Sequence, residues 1–215
     1  GISAIKDLGV THVELLPIFD YASVDENSPT FNWGYDPMNY NVPEGSYSSD
    51  PKNPTARITE LKAAIQAMHD LKLRVNMDVV YNHVYDTSKF SQNLITPGYF
   101  FRTDENGALT NGTGVGNDVA SERPMVRKFI VDSVKYWATE YNLDGFRFDL
   151  GQFALQFIGQ TRNAGETEVG RNGGVFLMLL FGDVIALPVQ VAGILHRNLD
   201  LLRHLRRRAS IVPSA

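Results

Sequence analysis

The feature that most constrains the fold is an alternation of helical and extended patterns along residues 1–150. Three segments with apolar residues at helical spacing are each followed by a short strand-like run. The strand-like runs are residues 11–16, 75–80 and 146–150. This order predicts parallel strands joined by right-handed crossovers, and therefore an α/β fold.

Two of the helices have clear sequence boundaries. The helix at residues 56–71 has an apolar stripe that consists of Ile58, Leu61, Ile65, Met68 and Leu71. The later helix is predicted to begin at Ser121 as N-cap, with Pro124 in its first turn. Residues 17–55 and 81–120 are predicted to be mostly loop. Gly1 follows no initiator Met and stands within what resembles half a helix, so we expect a missing N-terminal part, and no signal peptide is visible.

Polar side chains favour a barrel over an open, doubly wound sheet. They follow each predicted strand, at Asp20, at Asn82 and His83, and at Arg147 and Asp149. Parallel barrels place their active sites where the strands end. The Gly-rich stretch at residues 112–116 lacks the Lys of a phosphate-binding loop, so we interpret it as a turn.

Composition excludes several classes of function. A net charge of −4 and a pI near 5.7 argue against nucleic acid as a partner, because its binding proteins usually carry a basic face. The absence of Cys excludes disulfides and thiolate metal sites. Asp78 and His83 lack the spacing of a helical zinc motif, so no metal ligands are predicted.

The composition changes abruptly after Leu150. Residues 1–150 hold 7 Lys, 6 Arg and 20 acidic residues, whereas residues 151–215 hold 7 Arg, 4 acidic residues and no Lys. All 9 Tyr and both Trp also precede Leu150. We therefore treat residues 1–150 as one unit and residues 151–215 as a tail of uncertain fold.

Three interpretations of the tail compete. It could be a Leu-rich and Arg-rich helical domain, or residues 174–195 could span a membrane. Asp183 and Pro188 interrupt that apolar stretch, which makes a membrane partner the weakest interpretation. The favoured interpretation is translation in a shifted reading frame, because Lys, Tyr and Trp disappear together.

The run FRFDL at residues 146–150 carries the first candidate catalytic group. Alternation along a strand puts Arg147 and Asp149 on one face, where the guanidinium could hold the carboxylate ionised and oriented. A nucleophilic carboxylate needs this arrangement. A structural Arg–Asp pair that faces solvent fits the pentapeptide equally well.

Two further stretches supply candidate substrate contacts. Asp78 and His83 lie at the end of the preceding predicted strand. Trp33 and Tyr35 lie in a polar loop, where aromatic faces beside hydrogen-bonding groups suit a sugar ring. Trp33 could instead anchor its loop to the fold.

These stretches together resemble the α-amylase family of glycoside hydrolases, and within it the type I pullulanases. Residues 78–83 (DVVYNH) and 145–150 (GFRFDL) are similar to the family's first and second conserved regions. Residues 32–37 (NWGYDP) resemble the pullulanase signature, which usually has Tyr at the position of Phe31. The resemblance covers about residues 1–150 and stops at Leu150.

The resemblance implies a fold and a set of roles. The fold would be part of a (β/α)8 TIM barrel, strands two to four of eight. Asp149 would be the catalytic nucleophile and Arg147 its charge partner. Tyr35 and His83 would contact the sugar held by the nucleophile, with Asp78 as a supporting carboxylate. No cofactor is implied, although calcium stays open.

The implied activity is retaining cleavage of α-1,6 branch bonds in pullulan, starch or glycogen. In the family a Glu that ends the fifth strand is the general acid, and neither Glu166 nor Glu168 follows an apolar strand here. We therefore expect this chain by itself to be an inactive fragment. The alternatives are another α-amylase-family specificity, such as isoamylase-like or α-1,4 cleavage, and a noncatalytic glucan-binding remnant.

Overall fold

The fold of residues 1–150 alternates helices with a parallel sheet. The computed structural model describes residues 1–28 and 30–150, together with the backbone of 177–180 and 183–186. The helices are α1 (Ile2–Asp7), α2 (Pro54–Asp70), α3 (Ser91–Ile95) and α4 (Pro124–Glu140), with a 3₁₀ turn at Gly45–Tyr47. The strands are β1 (His12–Leu15), β2 (Phe19–Tyr21), β3 (Pro37–Pro43), β4 (Arg74–Val79), β5 (Gly145–Phe148), β6 (Leu177–Leu180) and β7 (Asp183–Ala186).

The main sheet has the order β1-β4-β5-β7-β6. Strand β4 pairs in parallel with β1 on one side and with β5 on the other. The predicted α/β class and the parallel pairing of the three strands are therefore confirmed. Strand β7 runs antiparallel to β5 and to β6.

Strand β4 lies at the centre of the core, with one apolar face and an opposite face that carries Asn76 and the buried Asp78. Val75, Met77 and Val79 are each fully buried. Helix α2 contributes Ile65 and Met68 to the same apolar cluster, and α4 contributes residues that include Trp137. The largely apolar run at residues 75–80 is what identified β4 in the sequence.

The loop after β1 contains structure that the sequence pattern did not predict. Strands β2 and β3 form an antiparallel pair with irregular register inside residues 17–55, which we predicted to be mostly loop. Strand β2 has only three residues, and β3 begins and ends with proline. Both features hide a strand from a periodicity search.

The predicted N-cap of α4 was wrong by two residues, whereas Pro124 lies in the first turn as predicted. Arg123 is the N-cap, Pro124 is the first helical residue, and no side chain caps this end. The hydroxyl of Ser121 instead accepts a hydrogen bond from Arg102 at 3.3 Å. Ser121 is 1% exposed and precedes the N-cap by two positions, so its hydroxyl serves the loop rather than the helix.

The predictions for the tail fall largely outside the described residues. The interpretations of the tail as a helical domain and as frame-shifted sequence concern residues that, apart from β6 and β7, lie outside the described ones. Within the described part of the chain, no helix has the length and apolar character needed to cross a bilayer.

The loop that leads to Tyr35 is held close to the start of the fold at Gly34. Gly34 has a φ of +82°, and a Cβ atom there would lie 2.8 Å from the main-chain oxygen of Pro17. Asn32 fixes the same turn, because its Oδ1 accepts from the Gly34 N–H at 2.9 Å and its Nδ2 donates to Ser23. The turn therefore requires glycine both for its backbone angle and for the close approach.

We expect Gly34→Ala to destabilise the fold much more than Gly114→Ala. Gly114 has a φ of +81°, but a Cβ atom added there would meet none of the described atoms within 4 Å. Gly114→Ala should therefore cost only about 1–2 kcal/mol for the left-handed backbone. Gly34→Ala adds a steric clash with backbone that costs about 1–3 kcal/mol more. Urea unfolding of the two variants would measure the difference, and equal losses would contradict the close packing at Gly34.

Candidate active site

The register of β4 and β5 brings the candidate catalytic residues together. Asp78 on β4 is the direct partner of Arg147 on β5. The next hydrogen bond runs from the Asp149 N–H to the Val79 carbonyl at 2.9 Å, which continues the pairing beyond the end of β5. Asp78, Arg147 and Asp149 therefore meet at the carboxyl edge of the parallel sheet, as the sequence predicted.

Arg147 binds two carboxylates, and the nearer one is not the predicted partner. Its Nη1 lies 2.6 Å from Asp78 Oδ2 and 3.4 Å from Asp149 Oδ1. The sequence pattern made Arg147 the charge partner of Asp149, which shares its strand face. The closer ion pair instead crosses to the neighbouring strand, because parallel pairing puts Asp78 directly beside Arg147.

Asp78 is a buried carboxylate that is held by its neighbours. Its side chain is 4% exposed, and its Oδ2 accepts from the Tyr35 hydroxyl at 2.5 Å as well as from Arg147. Burial raises the pKa of Asp78 to about 6, whereas the contacts with Tyr35 and Arg147 oppose that rise. Its Oδ1 is also buried and has no hydrogen-bond partner among the described residues. At neutral pH Asp78 is ionised and supports Arg147.

Asp149 is the accessible carboxylate of the pair. Its side chain is 20% exposed, compared with 4% for Asp78. Position and exposure together leave Asp149 able to meet a ligand, whereas Asp78 is enclosed. This contrast favours a catalytic carboxylate over the alternative of a solvent-facing structural pair.

Tyr35 and His83 complete the cluster. The Tyr35 hydroxyl accepts from Arg147 Nη1 at 3.3 Å and donates to Asp78. Burial is the main cause of the raised pKa of Tyr35, and the nearby Asp78 raises it further. Tyr35 therefore stays a phenol at neutral pH. His83 is 6% exposed, and its Nε2 donates to the Tyr35 carbonyl at 2.8 Å. Burial lowers the pKa of His83, against the opposing effects of the Tyr35 carbonyl and of Asp149.

Trp33 stands apart from this cluster. Its side chain is 62% exposed and meets the ring of Phe31 edge to face, with 5.5 Å between ring centroids. The exposure argues against Trp33 as an anchor that ties its loop to the fold. An exposed aromatic pair close to Tyr35 in the chain is consistent with the predicted substrate contact.

Asp20 does not join the other strand-end residues in one cluster. It pairs with Asn39 at 2.6 Å and lies within 4.8 Å of carboxylate oxygens of Glu26 and Glu44. Burial raises the pKa of Asp20. Glu44 already accepts two main-chain N–H groups, from Tyr21 and Ser46. Such a group of acids could attract a cation, but its hydrogen bonds also account for its arrangement, so we assign no metal there.

Asn82 is the contact that sequence reasoning missed. The pattern indicates it only as one of the polar residues after β4, but its Nδ2 donates to the main-chain oxygen of Asp149 at 2.9 Å. Its side chain also contacts His83. Only its position, one residue before His83 at a strand exit, could have indicated this role.

The comparisons with known proteins agree with the predicted resemblance. No family model matches the chain. Pullulanase of Bacillus subtilis (strain 168) is 58% identical over 152 residues, which are 70% of this chain and 21% of that protein. Pullulanase A of Streptococcus pneumoniae (strain D39) is 39% identical over 158 residues, which are 68% of this chain and 12% of that protein. Isoamylase 3 of Oryza sativa is 32% identical over 163 residues, which are 69% of this chain and 21% of that protein.

Solved structures give the same result. The pullulanase of Paenibacillus barengoltzii, in complex with maltohexaose and α-cyclodextrin, is 52% identical with a TM-score of 0.72, over 76% of this chain and 26% of that one. Type I pullulanase of Bacillus subtilis with maltose is 50% identical with a TM-score of 0.71, over 79% and 25%. The chain spans from about an eighth to about a quarter of these relatives. A segment of this chain is thus homologous to a segment of the pullulanases.

The raised pKa of Asp78 predicts a pH dependence of stability. Because the folded pKa of about 6 exceeds the usual 3.8, the folded state binds the extra proton between these values. The resulting stabilisation is complete below about pH 4 and is lost as the pH rises through about 6, for a total of about 3 kcal/mol. Urea unfolding of the wild type and of Asp78→Asn should show this slope only in the wild type. Parallel slopes for the two proteins would contradict it.

Proposed function

We infer that this chain carries part of the catalytic barrel of a pullulanase-type enzyme, an α-glucan debranching glycoside hydrolase. We assign β1, β4 and β5 as the second, third and fourth of eight barrel strands, and residues 1–150 as one barrel segment. The observation that carries the proposal is the cluster of Asp149, Arg147 and Asp78 at the carboxyl edge of a parallel sheet, in a segment 58% identical to a pullulanase.

The proposed chemistry is a two-step displacement with retention of configuration. Asp149 attacks the anomeric carbon of the glucosyl unit and forms a covalent ester, while the bond to the leaving oxygen breaks. A second carboxyl group protonates that oxygen, and then removes a proton from the water that hydrolyses the ester. Arg147 holds Asp149 from one side without enclosing it.

Asp78 is unsuited to the role of the second carboxyl group, although its raised pKa resembles that of a general acid. Its Oδ2 is already bound to Tyr35 and Arg147, and its Oδ1 is buried. An acid must reach the leaving oxygen, and an enclosed carboxylate cannot. In the family the acid is a Glu that ends a fifth strand. We propose neither Glu166 nor Glu168 for this role, because neither follows an apolar run in the sequence, and both lie outside the described residues.

We propose an α-glucan such as pullulan, starch or glycogen as the substrate. The related pullulanases have been crystallised with maltohexaose, α-cyclodextrin and maltose. In this chain Tyr35, His83 and Trp33 offer aromatic faces and hydrogen-bonding groups for a sugar. The proposal includes no cofactor, and calcium is not needed by any step above.

A second candidate function is glucan binding without hydrolysis. The exposed pair of Phe31 and Trp33 favours it, since aromatic faces can bind sugars without catalytic groups. We propose that this chain, lacking an assigned acid, binds α-glucan and releases no reducing sugar. Retention on immobilised pullulan with no sugar release would support the binding function for the chain alone.

The catalytic proposal is best tested in a chimaera with the Bacillus subtilis pullulanase, in which residues 1–150 of this chain replace the matching segment. We expect the chimaera to hydrolyse pullulan in preference to linear amylose. Asp149→Asn should lower kcat by about 10³-fold or more, because the nucleophile acts as one of a cooperating set.

Asp132→Asn is the matched control for that substitution. Asp132 is an exposed carboxylate on α4 that pairs with Lys128, so its loss should leave turnover unchanged. A chimaera that prefers amylose would contradict the debranching specificity. Full activity of Asp149→Asn would overturn its role as nucleophile.

A further inference from the structure

Asn82 links the candidate nucleophile to the buried histidine. Its side chain is almost fully enclosed, with 2% of the residue exposed. Its Nδ2 donates to the main-chain oxygen of Asp149 at 2.9 Å and lies 3.4 Å from Asp149 Oδ2. Its Oδ1 contacts Nδ1 of His83. One amide group therefore contacts both residues.

The two oxygen atoms of Asp149 that face Asn82 determine the orientation of this amide. Both Asp149 atoms that face it, a carbonyl oxygen and a carboxylate oxygen, can only accept hydrogen bonds when Asp149 is ionised. The NH₂ group must then point to Asp149, and a flipped amide would place oxygen against oxygen. The Asp149 side therefore requires the observed orientation, in which Oδ1 of Asn82 meets Nδ1 of His83. Because Nε2 of His83 already donates to Tyr35, this second contact is a hydrogen bond only when both ring nitrogens of His83 carry protons.

The main chain enters a turn at Asp149, directly after the end of β5. Leu150, the next residue, has a φ of +45°, a left-handed conformation that side-chain-bearing residues rarely adopt. The Asp149 carbonyl belongs to the peptide that enters this turn. Asn82 supplies that carbonyl with a donor at the point where β5 has ended.

The backbone around Asn82 fixes the position of its side-chain amide. Its main-chain oxygen accepts from the Val119 N–H at 3.0 Å, which ties it to the loop before α4. It follows the end of β4 by three residues, so the sheet fixes its origin. A donor built on such a base can restrict the torsion angles of the Asp149 side chain.

We propose that Asn82 is a positioning residue for Asp149 that fixes the direction of its carboxylate. The inference rests on the proposed function only for the statement that Asp149 is the nucleophile. A fixed direction keeps the carboxylate aimed at the anomeric carbon. His83 packs against the other end of the same amide, at Oδ1.

Asn117 offers a matched comparison within the same chain. It is also buried, at 5% exposed, and its amide bonds to a main-chain carbonyl, that of Val84, at 2.8 Å. Its Oδ1 accepts from the Val84 N–H at 3.0 Å. Both of these contacts are with backbone and neither involves a carboxylate, so its amide should not sense the charge of Asp149.

The test is nuclear magnetic resonance of the ¹⁵N-labelled chain. The side-chain amide of Asn82, assigned from its loss in Asn82→Asp, should show a pH-dependent chemical shift to which the Asp149 carboxylate contributes. His83 and Asp78 lie nearby and contribute as well, so Asp149→Asn is required to isolate the contribution of Asp149. We expect that variant to change the pH dependence of the Asn82 amide and to leave the amide of Asn117 unchanged.

An Asn82 resonance that titrates identically in the wild type and Asp149→Asn would overturn the inference. Asp149→Ala gives the same comparison if Asp149→Asn does not fold. Neither measurement requires turnover. If the Asn82 amide responds to Asp149 but glucan is neither bound nor hydrolysed, only the proposed function is contradicted. If glucan is hydrolysed but the Asn82 amide does not respond to Asp149, only the positioning role is contradicted.

Discussion

The parallel register between β4 and β5 is the constraint on which the candidate site depends. It sets Asp78 beside Arg147 and extends through the Asp149 N–H to the Val79 carbonyl. A shift by one residue would turn Asp78 to the opposite face, because side chains alternate along a strand. The fully buried Val75, Met77 and Val79 resist such a shift, since it would exchange the environments of the apolar and polar side chains. Core packing therefore fixes the geometry of the charged cluster.

The sequence predicted the parts of this arrangement that depend on periodicity. Strand β4 is an apolar run, β5 alternates, and α2 and α4 carry apolar stripes, so the α/β class followed from them. The antiparallel pair of β2 and β3 was not predicted, because β2 has only three residues and β3 begins and ends with proline. Neither strand leaves a pattern long enough to detect. The start of α4 was misplaced because a serine near a helix is a capping signal only when its hydroxyl is not engaged elsewhere, and Ser121 is bound to Arg102.

The residues of the site were easier to predict than their partners. Asp149, Arg147, Asp78, Tyr35 and His83 do come together, but sequence assigned Arg147 to Asp149 from their shared strand face. Pairing between strands is a tertiary property, and it makes Asp78 the nearer partner, at 2.6 Å compared with 3.4 Å. The partner of the Asn82 amide was missed for the same reason, since it lies 67 positions away along the chain. The roles of all these residues stay predictions, since geometry shows proximity and not turnover.

Asp78 and Asp149 share the guanidinium of Arg147 but differ in their surroundings. With Asp78 and Asp149 both ionised, Arg147 leaves the group with a net charge of −1, which suits a transition state with positive charge on the sugar ring. Under the proposed mechanism, an Asp78 as accessible as Asp149 would allow either carboxylate to meet the substrate, and the attack would lose its single direction. Burial removes Asp78 from that competition and raises its pKa, and Arg147 with the Tyr35 hydroxyl keeps it charged at neutral pH. The enclosed carboxylate thus holds the arginine, and the arginine is left with a second, looser contact to the exposed carboxylate. A looser contact at 3.4 Å constrains Asp149 less than a close ion pair would, and it leaves the carboxylate free to form a bond.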